Sequence, residues 1–151
     1  MAEDTAPQQD ITELSEAEEQ WIAERLAFAR QDGVDHLDVD AVSAFSDRQL
    51  AAFRNEELSP EEGGVMADVT AVLLGEHLGA KLGLKWVIVQ DAQGTDLGMR
   101  DTLSSAVIFP QSTVGKQWNE ATTGWVPHYV EWLTAQLKDI RTQTPDSPTL
   151  Q

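Results

Sequence analysis

Apolar residues recur along this chain with two periods, and the switch between them outlines the fold. Trp21, Ile22, Leu26 and Ala29 repeat at three- and four-residue intervals behind Ser15 and Glu18, which are spaced as a capping box, and the pattern stops at Gly33. That predicts one amphipathic helix. A second is expected from about Ser46 or Asp47 to Asn55, with Leu50 and Phe53 or Phe45 turned inward. A third is signposted by Ser59-Pro60-Glu61-Glu62, which supplies a cap, a first-turn proline and the reciprocal glutamate. Its apolar residues (Val65, Val69, Val72, Leu73, Leu74, Leu78, Leu82) cover most of the helix circumference, so this helix should be surrounded by protein. Gly75, Gly79 and Gly83 recur every fourth residue, which lowers helix propensity but lets another backbone or ring approach closely.

After Gly83 the character changes. Lys85 to Gln90 and Ala106 to Phe109 are β-branched and aromatic, and Thr95 to Arg100 lies between them. Asp91-Ala92-Gln93-Gly94 is too short for anything but a turn, with glycine where positive φ is needed. Three antiparallel strands in a meander follow. Pro110 should end the third, Ser112 should cap a short helix through Trp118, and a last helix from about Val126 to Arg141 should bury Tyr129, Trp132, Leu133 and Leu137. Residues 1–12 and 144–151 lack apolar periodicity and are expected to be disordered tails. The expectation is one α+β domain over residues 13–143: a three-stranded antiparallel meander packed on a central helix, with flanking N- and C-terminal helices.

Composition narrows the function. The 151 residues contain no cysteine, which rules out thiolate metal sites and disulfides. The first residues, MAEDTAPQQD, are acidic where a secretory leader is basic and then apolar, and no run approaches the roughly 18 apolar residues of a membrane span. A soluble, cytoplasmic protein is expected. The net charge is −16, concentrated early: residues 1–65 hold 17 Asp/Glu against 4 Lys/Arg, and residues 66–151 hold 9 against 6. Such a field repels nucleic acid and anionic lipid and favours a basic protein partner.

No complete catalytic set emerges. VIVQDAQGTDLG, Val87 to Gly98, resembles the way a phosphatase presents a nucleophilic aspartate. The general acid two residues after Asp91 is replaced by Gln93, and the next strand follows too closely for a crossover helix, so a hairpin turn is the reading adopted. DGVDHLDVD, Asp32 to Asp40, fails as a calcium loop: counting from Asp38, the sixth and twelfth places are Ser43 and Gln49. A solvated acidic linker remains. His36, His77 and His128 have no metal-ligand spacing, and no nucleophile elbow surrounds Ser104, Ser105 or Ser112, so neither a metal nor a cofactor is expected. Glu76 falls among the apolar positions of the third helix and must find a partner, with Trp86 or Lys85 in reach. Trp21, Trp86 and Trp132 are read as core. Trp118 and Trp125, which flank NEATTG, either cap the core or form a binding surface.

The glycine-punctuated helix, then Gly83-Leu84-x-Trp86, Asp91-x-x-Gly94, and Pro110-x-Ser112 followed by Lys116, is similar to the bacterial domain of unknown function family 3806. The likeness covers about residues 15–120 and departs from the family pattern at Gln117, where arginine is frequent. The resemblance implies a small α+β domain and no activity. The leading expectation is therefore a non-enzymatic protein-binding module of inhibitor or immunity type, whose acidic half meets a basic surface. The alternative is an enzyme or small-ligand binder with a pocket between the central helix and the sheet, lined by Glu76, Trp86, Asp91, Ser112 and Lys116.

Overall fold

A computed structural model describes residues 10–143. In chain order the elements are β1 (Asp10–Thr12), α1 (Glu16–Gln31), α2 (Val39–Arg54), α3 (Pro60–Leu82), β2 (Leu84–Asp91), β3 (Gly94–Asp101), β4 (Val107–Ile108), α4 (Pro110–Asn119) and α5 (Trp125–Arg141). The α+β class is as expected, but the antiparallel sheet has four strands rather than three, in the order β1-β2-β3-β4. The added strand is β1, which pairs Asp10 to Thr12 with Gln90 to Ile88 where a disordered tail was expected. Only Ile11 in this strand is apolar, too little for periodicity to reveal; the free edge of β2 recruits it. The remainder of both expected tails lies outside the described residues. No helix among the described residues is long and apolar enough to cross a membrane.

Local signals set most boundaries. Both capping boxes form: Ser15 with Glu18 on α1, and Ser59 with Glu62 on α3. Gly83 ends α3 in the left-handed region at φ 77°, a conformation open to glycine, and returns the chain directly into β2. Three expectations need correction. α2 begins at Val39 rather than near Ser46, because Asp38 accepts hydrogen bonds from the Asp40 and Ala41 amides and caps it. The acidic linker is thus shorter and supplies a cap. α4 begins at Pro110, with Phe109 at the cap position and no side-chain cap bond, so Ser112 lies inside the helix. Trp132 stays 45 % exposed; the inward stripe of α5 runs through Val126, Val130, Leu133 and Leu137.

α3 is the spine. It packs against α1, α2, α4, α5 and β2, and Val72, Leu73, Leu74 and Leu78 are fully enclosed. Its first turns are more open, with Val65 at 44 % exposure. Leu84, Trp86, Met99 and Ile108 meet the helical layer from the sheet, while Val87, Val89 and Val107 form a separate cluster with Ile11 and Phe109. Strand alternation separates the two sets.

Candidate functional site

The space between α3 and the sheet is used for packing. A Cβ on Gly75 would lie 2.1 Å from Cζ2 of Trp86, and one on Gly79 would lie 3.1 Å from the Leu84 carbonyl, so these glycines admit the indole and the strand backbone. Trp86 Nε1 donates to Glu76 Oε2 at 2.8 Å, which gives the half-buried carboxylate the partner its position on the helix demanded. Asp91 stands at the far end of β2, about 17 Å further along the strand at 3.3 Å per residue. Its Oδ1 accepts from the Gln93 amide at 2.8 Å, and Gly94 takes φ 135°: the residues make a hairpin turn. Ser112 and Lys116 lie exposed on α4.

The tryptophan pair has a shared anchor. Nε1 of Trp118 (3.2 Å) and Nε1 of Trp125 (3.3 Å) both donate to Ser46 Oγ, which is fully buried on α2. Asp47 accepts from the Gly124 amide at 3.0 Å, Trp118 stacks on Phe53, and Trp125 meets Tyr129 edge-on. Burial raises the Tyr129 phenol above its ordinary pKa. Residues 118–125 are thereby tied to α2. A polar clasp closes the other end: Arg141 Nε and Nη2 donate to Asp101 at 2.9 and 2.6 Å, Nη2 also donates to the Leu82 carbonyl, and Ser104 and Leu103 donate to the same carboxylate. Burial pushes the Asp101 carboxyl upward, but these hydrogen bonds and the Arg141 charge outweigh it and hold it below the usual carboxylate range.

One surface in the acidic half is concave. Between the end of α1, the middle of α2 and the first turns of α3 lies a cavity of about 460 Å³. Phe28, Leu58, Val65 and Met66 form its apolar part, with Phe28 45 % exposed; Asp32, Glu61 and Glu62 stand at its edge with Gln49. Asp32 also meets Arg48 at 3.3 Å, and Glu62 accepts from the Ser59 amide in the capping box, which leaves Glu61 the lining carboxylate with no hydrogen bond or ion pair among the described residues. None of these residues is a binding candidate in the sequence: Val65 reads as core, Glu61 and Glu62 as a helix start, and Asp32 and Gln49 belong to the acidic run and the rejected calcium loop. Phe28 and Val65 fit a helical core pattern, and only the crossing of three helices shows that they stop short of burial. Among the described residues no group of three or more His, Asp or Glu could hold a metal ion.

A family model described as a domain of unknown function (DUF3806) matches residues 48–129. No curated protein and no solved structure matches the chain.

Proposed function

The chain belongs to the DUF3806 family, whose description states no activity, and from its geometry we propose that it is a non-enzymatic protein-binding module for a basic segment carrying large apolar side chains. The observation that carries this reading is the α1/α2/α3 cavity, an apolar floor edged by carboxylates in the half of the chain with 17 Asp/Glu against 4 Lys/Arg. The floor would contribute affinity through burial, and the acidic edge would steer a basic partner and select against acidic ones. Exposed Glu56 and Glu57, just upstream in the α2–α3 connection, extend the same field.

A displayed random-peptide library selected on the full chain tests this. Enriched peptides should combine Lys or Arg with Leu, Phe or Trp, bind less tightly at high salt, and lose binding to Val65→Glu. Enrichment of acidic peptides, or of peptides indifferent to Val65→Glu, would overturn the proposal.

A further inference from the structure

A second concavity, of about 590 Å³, separates α3 from α5 and lies apart from the acidic cavity. Its volume is within the range of about 300–1,000 Å³ typical of small-molecule sites. His77 and Lys81, one turn apart, line it from α3, and Glu131, Thr134 and Lys138 line it from α5. Leu37, Val39, Pro127 and Val130 supply apolar wall. Of the 6 Lys/Arg after residue 65, two therefore meet across one groove in a chain of net charge −16. Both ammonium groups are exposed, and no ion pair among the described residues holds either.

His77 is the buried polar member of the groove lining. The ring is only 6 % exposed, and Nδ1 lies 2.9 Å from the carbonyl oxygen of His36. A carbonyl can only accept, so Nδ1 carries the proton. Nε2 is buried with no hydrogen-bond partner among the described residues, and a buried polar atom in that state is exceptional.

We infer that the α3/α5 groove binds an organic anion, a carboxylate or phosphate monoester carried on an apolar body, with its charge held between Lys81 and Lys138. The apolar wall takes the body of the ligand, and the two lysines select the sign of its head group.

Titration calorimetry of the full chain with octanoate and with octyl phosphate, using octylammonium and inorganic phosphate as controls, tests this. Octanoate or octyl phosphate should bind, and the comparison identifies the preferred head group. The controls should bind at least tenfold more weakly. Lys81→Gln combined with Lys138→Gln, both exposed, should weaken binding at least tenfold at an unchanged melting temperature. Absence of binding by both amphiphilic anions at millimolar concentration, equal binding of octylammonium, or undiminished binding by the double lysine variant would overturn the inference.

Discussion

The indole N–H of Trp86 donates to Glu76 at 2.8 Å, a polar bond set inside an otherwise apolar helix–sheet interface, and the ring itself lies in the gap left by Gly75. Gly75→Ala places a methyl 2.1 Å from Cζ2 of a ring that the Glu76 bond prevents from sliding away. Overpacking costs about 1–3 kcal/mol, which exceeds the gain of about 1 kcal/mol in helix propensity. Urea unfolding should show a lower midpoint at an unchanged slope. A more stable variant would mean that the indole is free to move.

Ser46→Ala removes the one oxygen that receives two indole N–H groups. Unmet buried donors cost about 1–3 kcal/mol each. The half-buried Trp118 can turn toward water, whereas Trp125 at 3 % exposure cannot, so an overall loss of about 2 kcal/mol is expected in chemical denaturation. Ser46→Thr keeps the hydroxyl and should recover part of that loss.

Asp101 and Arg141 predict an acid limb. Because the folded carboxyl titrates below its ordinary value of 3.8, its contribution is complete above that pH and is lost as the pH falls through the lower folded value. Wild-type stability should therefore fall more steeply below about pH 4 than that of Asp101→Asn. At neutral pH, Arg141→Met leaves the enclosed carboxylate without its cation, at a cost of about 3 kcal/mol. Parallel unfolding slopes of wild type and Asp101→Asn at acid pH would contradict this assignment.

In the acidic cavity, Glu61→Gln should slow association with a selected basic peptide and reduce its salt dependence while leaving stability within about 0.5 kcal/mol. Val65→Glu should act on dissociation instead. Stopped-flow mixing at two salt concentrations separates the two effects.

Much of the fold was legible because its signals are local. Capping boxes at Ser15 and Ser59, the left-handed glycine at 83, and the Asp91–Gly94 turn each act within four residues, and all formed as read. β1 and the start of α2 were missed for opposite reasons. β1 exists only because β2 offers an unpaired edge, and the cap at Asp38 was obscured by the acidic residues around it. The burial of Glu76 could be read from its angular position, and its partner from the strand that follows. Neither the Asp101–Arg141 pair nor the Ser46 anchor could, since their members stand 40 residues apart in the first case and 72 and 79 in the second.

By itself the sequence determined the helix caps, the glycine clearances, the hairpin and an acidic first half, because propensity and charge belong to residues and their near neighbours. Tertiary structure alone decided which apolar residues remain at the surface. Phe28 and Val65 carry the same helical pattern as buried neighbours, yet they line an open cavity where the end of α1, the middle of α2 and the first turns of α3 meet. It also decided that His77 and Lys81 face Lys138 across a groove, a proximity between distant segments that no local pattern encodes.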